Sequence, residues 1–102
     1  MKILTAVQGV GVCLAVMLFA APVSAGNAQQ GKSLSAQCSS CHGPEGQGMG
    51  SNPALAGMDA DAFVQSLKAY QAGERKHMMM EMMAKKLSEQ EMADLAAYYA
   101  SL

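Results

Sequence analysis

After residue 26 the chain contains no isoleucine and a single valine, Val64. β-Branched apolar residues are what strands are built from, so their scarcity argues against a β-rich domain and leaves helix as the main option. Cysteine is scarce too. Of the 3 cysteines, Cys13 lies in an apolar leader, which leaves Cys38 and Cys41. A bridge between those two would close a very short loop and stabilise little, because the benefit grows with loop length. No disulfide framework holds this fold. Nor is there an excess of basic charge: 7 Lys and Arg stand against 8 Asp and Glu, and Lys2 belongs to the leader. Such a chain has no electrostatic footprint for nucleic acid.

The leader is read from its three parts. Lys2 supplies a positive start, residues 3–21 are almost uninterruptedly apolar, and Pro22 is followed by the small residues Val23-Ser24-Ala25. This is the pattern of a secretory signal peptide, cleaved after Ala25, and it places the protein in the periplasm. The competing reading is an uncleaved membrane anchor, since the run is almost long enough to span a bilayer. Cys13, preceded by Val-Gly-Val, is a poor match to a lipoprotein site. Residues 26–102 then make one small domain. A domain of that size buries too little apolar surface to be comfortably stable alone and needs a metal or cofactor as a staple.

What is present is alanine, methionine, leucine, lysine and glutamate, a helical composition. A first helix is expected over 27–37, with Ala28, Gly31, Leu34 and Ser35 on one face. Residues 43–57 hold five glycines and two prolines and read as loop. A second helix is expected over 60–72, with Asp59 as N-cap, Phe63, Val64 and Leu67 on its stripe and Gly73 as its stop. The last begins at Ser88, where Ser88-Glu89-Gln90-Glu91 forms a capping box. Its apolar positions Met92, Leu95, Ala96 and Tyr99 follow at helical spacing, and Tyr98 widens the face. The expected architecture is all-α, with three main helices and a short helical turn near residue 80.

Cys38-Ser39-Ser40-Cys41-His42 carries the chemistry. C-x-x-C-H is the attachment signature of c-type haem. Two thiols at this spacing can add across the two vinyl groups of one porphyrin, and the adjoining histidine then lies under the ring as an axial ligand. A thioredoxin-like dithiol would sit near a βαβ pattern, which the sequence lacks. A structural zinc site needs four ligands, and beyond these three only His77 offers another ring nitrogen. Export agrees with haem, because c-type haem is attached outside the cytoplasm in bacteria.

At this point the sequence resembles the small soluble class I cytochromes c of bacteria, over essentially all of residues 26–102. The resemblance rests on CSSCHG after a short helix, on Asn52-Pro53-Ala54-Leu55-Ala56-Gly57, and on a methionine ahead of a last helix ending LAAYYASL. It implies the cytochrome c fold around one covalent haem c, attached through Cys38 and Cys41, with His42 on the iron. It implies that the Pro53 carbonyl accepts a hydrogen bond from His42 Nδ1, and that Leu55 lies against the haem. A glycine in the first helix, here Gly31 with Leu34, would let the last helix approach at Leu95 and Tyr98. Members carry electrons between larger redox proteins and are not enzymes. A monomer is expected.

The densest oddity is His77-Met-Met-Met-Glu-Met-Met83, with five methionines in seven residues. In the family the sixth iron ligand is a methionine on an irregular segment, eight residues before the Ser or Thr that caps the last helix. Counting back from Ser88 gives Met80, making His42 and Met80 the metal ligands. Met79 and Met83 remain open as substitutes, because neighbouring thioethers are interchangeable. Other functions compete. A haem enzyme or sensor would leave the sixth site open, as a peroxidase does. A copper(I) chaperone could use the soft thioethers with His77, but would leave C-x-x-C-H without a role.

Two matches carry no chemistry. Gly26–Ser33 satisfies the phosphate-loop pattern letter for letter, yet no strand precedes it. The glycines of 43–50 make no dinucleotide fingerprint, and suit a loop wrapped past a flat cofactor or simply a flexible loop. Arg75, Lys76, Lys85 and Lys86 could rim a docking face, or form a solvated surface.

Overall fold

Caps and turn residues divide the described residues into five helices: α1 Ala28–Leu34, α2 Ala36–His42, α3 Ala60–Gln71, α4 Met78–Lys85 and α5 Glu89–Ala100. The structure is a computed structural model and describes residues 24–102 together with Gly9 and Gly11. The leader expected over 1–25 lies almost wholly outside the described residues. Among those residues the only β-type pairing is an isolated bridge between Met49 and Asn52. The all-α expectation holds.

Two elements differ from the sequence reading. The first helix does not run unbroken over 27–37. Ser35 interrupts it: its hydroxyl donates to the Lys32 carbonyl at 2.6 Å, while its own carbonyl accepts from the Cys38 amide at 2.9 Å and the Ser39 amide at 3.1 Å. A short hydroxyl side chain competing for local carbonyls is what lets the helix stop and restart there. The restarted helix α2 carries all of Cys38 to His42. The second difference lies near residue 80, where the expected short turn is an eight-residue helix. His77 makes it so, because its ring supplies an N-cap where serine or aspartate would be sought.

The other caps fall where expected. Asp59 accepts from the Ala62 amide at 3.0 Å to start α3, and Ser88 with Glu91 closes a reciprocal capping box on α5. After α3, Gly73 adopts φ 73°, a left-handed turn that glycine makes without strain.

The core is built on α5. Met92, Leu95, Ala96 and Tyr99 are buried together with Phe63 and Leu67 of α3 and Ala84 of α4. The Phe63 and Tyr99 rings lie 5.6 Å apart, and Tyr98 is tilted against Tyr99 at 5.0 Å. Helix α1 crosses the other side of α5 at backbone contact. A Cβ on Gly31 would overlap the Asp94 carbonyl and Tyr98 Cβ, so only glycine permits the crossing. Of the positions expected at this crossing, Tyr98 meets the glycine, together with the Asp94 carbonyl, while Leu95 is fully buried. Asp94 is buried, and its carboxylate accepts from the Asn27 amide at 2.8 Å and the Gln90 side chain at 3.0 Å. That satisfies the polar group the crossing buries.

Candidate functional site

Because α2 is helical through His42, Cys38 and Cys41 stand three residues apart on one face, with His42 four residues from Cys38. Both cysteines are free thiols, Cys38 half-buried and Cys41 exposed. Burial pushes the Cys38 thiol up from its ordinary value, partly offset by a hydrogen bond with Tyr99. The Tyr99 hydroxyl is raised as well, first by its own burial and then by Cys38 beside it.

His42 ends the helix, and the chain folds back to hold it. Its Nδ1 donates to the Pro53 carbonyl at 2.7 Å, which fixes the tautomer and leaves Nε2 with a free lone pair. The His42 carbonyl accepts from the Gly48 amide at 2.7 Å, and the Cys41 carbonyl accepts from Asn52 Nδ2 at 2.9 Å. The turn that makes this return possible begins at Gly43, with φ 96°. His42 itself is only 7% exposed. The 43–57 loop is therefore a tied wrap around the end of α2. Sequence reasoning found Pro53 but missed Asn52, whose side chain read only as a turn signal before proline.

The face of α2 borders a cavity of about 820 Å³. Leu55 and Phe63, Leu67 and Leu95 form apolar walls, and α4 supplies Met79, Met80 and Met83. The five methionines are thereby sorted. Met78 and Met82 point outward, 76% and 51% exposed, and line no part of the cavity. Met79 reaches the cavity from a position 54% exposed, whereas Met80 and Met83 are half-buried. Of these, Met80 packs against the buried core. His77 also borders the cavity, with its Nδ1 accepting from the Met80 amide at 3.2 Å. Arg75 lies 4.7 Å over the Tyr70 ring at the same rim, while Lys76, Lys85 and Lys86 are solvent-exposed.

Residues 28–102 match the Cytochrome c family, and the chain belongs to it. It is 42% identical over 81 residues to cytochrome c-554(548) of Halomonas halodenitrificans, covering 76% of this chain and 98% of that protein. It is 38% identical over 90 residues to cytochrome c-554(547) of Halothiobacillus neapolitanus, covering 76% of this chain and 99% of the relative. Among solved structures it is similar to the cytochrome c4 of Acidithiobacillus ferrooxidans. There the TM-score is 0.73 and the identity 33%, over 80% of this chain and 53% of the other. The chain thus spans about half the length of that cytochrome c4 and nearly the whole of the two c-554 relatives.

The family cofactor is one covalently bound haem c, and the site fits it. Two free thiols share a helix face, a buried imidazole keeps Nε2 unpaired, and the adjoining cavity lies within the roughly 300–1,000 Å³ of small-molecule and cofactor sites. The protein is a c-type cytochrome that carries electrons to and from redox partners.

Proposed function

We propose that this chain is a periplasmic monohaem electron carrier whose iron is held between His42 and Met80, and that it is not an enzyme. The observation that carries the reading is the meeting of two helices at one apolar cavity. Helix α2 brings a histidine with its Nδ1 tied to Pro53, and α4 brings a half-buried thioether. When bound, haem supplies a one-electron couple, and His/Met ligation raises its potential.

The chain's own residues do the rest. Cys38 and Cys41 would hold the porphyrin edge by adding their thiols across its two vinyl groups. The Pro53 carbonyl orients His42 and increases its basicity. Leu55, Phe63, Leu67 and Leu95 line the cavity and would keep water from a bound haem, and burial of that kind is one of the protein's levers on its potential. Met80, packed against the core, would hold the iron from the α4 side and so keep small ligands off it. Family membership supports transient contacts with redox partners, which we take to be larger proteins docking on a monomer. The leader pattern supports export with cleavage after Ala25. Among the described residues no helix is long and apolar enough to cross a membrane.

The test is the visible spectrum and intact mass of the secreted protein. One haem on a chain beginning at Gly26, low-spin, with a sulfur-to-iron band at the red end, is the expected result. A native protein that binds carbon monoxide or cyanide at once at neutral pH has an open sixth site, and the peroxidase-like alternative then replaces this reading.

A further inference from the structure

Helix α4 has two turns, too few for a helix to hold its shape unaided, so its position is set by what ties it down. It is tied at both ends. At the N-terminus His77 Nδ1 accepts from the Met80 amide at 3.2 Å, and the His77 amide donates to Glu81 Oε2 at 3.3 Å. At the C-terminus Gln71 reaches over from α3. Its Nε2 donates to the Ala84 carbonyl at 2.7 Å and to the Leu87 carbonyl at 3.1 Å. Both acceptors are carbonyls, so only the amide nitrogen can serve them, and the orientation of the Gln71 side chain follows.

The Ala84 carbonyl lies in the last turn of α4, where acceptors run out of intrahelical partners, and the Leu87 carbonyl lies just beyond the cap. Ala84 is fully buried and its carbonyl also accepts from the Leu87 amide at 3.1 Å, so losing the Gln71 donor would leave it one hydrogen bond poorer in a dry place. Neither Gln71 nor His77 is called for by the fold. A serine would cap α4 as well, and the turn at Gly73 already stops α3. Together they hold the one helix whose height and rotation decide which sulfur faces the cavity.

We propose that Gln71 and His77 are positioning residues that fix Met80 at the iron by clamping α4 at its two ends. The inference rests on Met80 as the sixth ligand. Its consequence is an equilibrium: the clamps favour the state with the sulfur bound over one with α4 swung away. Exogenous imidazole can reach the ferric iron only in the second state, so its apparent affinity reports that state's population.

The test uses the haem-loaded protein and five variants, with imidazole affinity, reduction potential and the sulfur-to-iron band as readouts. Gln71→Met keeps the chain length and removes the donor. It is expected to raise imidazole affinity about five- to thirtyfold, the range for losing one or two net hydrogen bonds, and to lower the potential. His77→Ala is expected to raise it about fivefold, and His77→Asn, which restores a capping acceptor, to return it to the parent value. Asp59→Ala removes the α3 cap instead. It should lower thermal stability and leave imidazole affinity alone, which separates general destabilisation from loss of the clamp. If Gln71→Met is as heat-sensitive as Asp59→Ala but binds imidazole within about twofold of the parent, the clamp is overturned. Met80→Ala reports on the premise separately: a band that survives there overturns the ligand assignment, and the clamp with it.

Discussion

Helices α2 and α4 face the same cavity, and they are seven and eight residues long. Their sequences announce their roles very differently. In α2 each functional atom belongs to a residue type found nowhere nearby: two thiols, then an imidazole. In α4 the functional atom is one thioether among five, and Met79, Met80 and Met83 all reach the cavity. The surroundings differ in the same sense. The end of α2 is bound by Pro53, Asn52 and Gly48 of a single returning loop, at 2.7–2.9 Å. Helix α4 is bound by one residue at each end. Chemistry carried by residue type is visible in a sequence, whereas chemistry carried by position among equals depends on caps and burial.

The largest effect should come from the α2 side. Replacing both Cys38 and Cys41 with alanine removes covalent attachment, and a core this small then lacks its staple. The expected outcome is loss of native helical content by circular dichroism. A cooperative thermal transition in that haemless variant would show that the protein core suffices. His42→Ala should keep covalent haem but lose the low-spin spectrum, and His77→Ala should keep it. The reverse result would mean that the proximal ligand has been misassigned.

The corresponding change in α4 is smaller because neighbours stand ready. Met80→Ala should abolish the sulfur-to-iron band and lower the potential, while covalent haem and the fold remain. Met79→Ala and Met83→Ala should each keep the band. If instead every single variant keeps it, adjacent methionines exchange on the iron, and α4 differs from α2 in having no unique ligand at all.

Much of this arrangement was legible in the residues. The capping box at Ser88, the Asp59 cap and the α5 stripe of Met92, Leu95, Ala96 and Tyr99 follow from local rules, and the structure has each of them. The break at Ser35 was not legible, since Ser35 lies within a stretch of unbroken helical pattern and acts through bonds to backbone groups of Lys32, Cys38 and Ser39 that carry no side-chain signature. The His77 cap was hidden for another reason. Histidine is a poor general predictor of helix starts, and an irregular segment was the family expectation. Gln71 and Asn52 could not be found at all, because their acceptors are backbone carbonyls far along the chain, which carry no side-chain signature.

Smaller effects sharpen the comparison in the scaffold. Gly31→Ala pushes a methyl group into the Asp94 carbonyl and Tyr98 on α5. Overpacking at such a crossing costs about 1–3 kcal/mol, enough to lower the melting temperature by several degrees. The spectrum should stay unchanged, since α1 is remote from α4. Asn52→Ala removes the donor to the Cys41 carbonyl and should cost about 1 kcal/mol. A shift in the haem spectrum from Asn52→Ala without loss of stability would mean that the loop tunes the iron as well as tying down α2.

The smallest effect is expected on the outer face of α4, and it tests the sorting of the methionines most directly. Met78 and Met82 are 76% and 51% exposed and lie one turn apart, away from the cavity. Truncating them leaves no void in the core and removes no hydrogen bond. Surface substitutions of that kind usually change stability by less than about 0.5 kcal/mol, and alanine is a better helix former than methionine. Met78→Ala and Met82→Ala, singly and together, should therefore keep the sulfur-to-iron band, the potential and the melting temperature. If the double variant loses the band while Met80→Ala keeps it, α4 is rotated by about half a turn when haem is bound. The helix would then present its other face to the iron, and the asymmetry between a fixed α2 and a choosable α4 would be larger than the structure alone suggests.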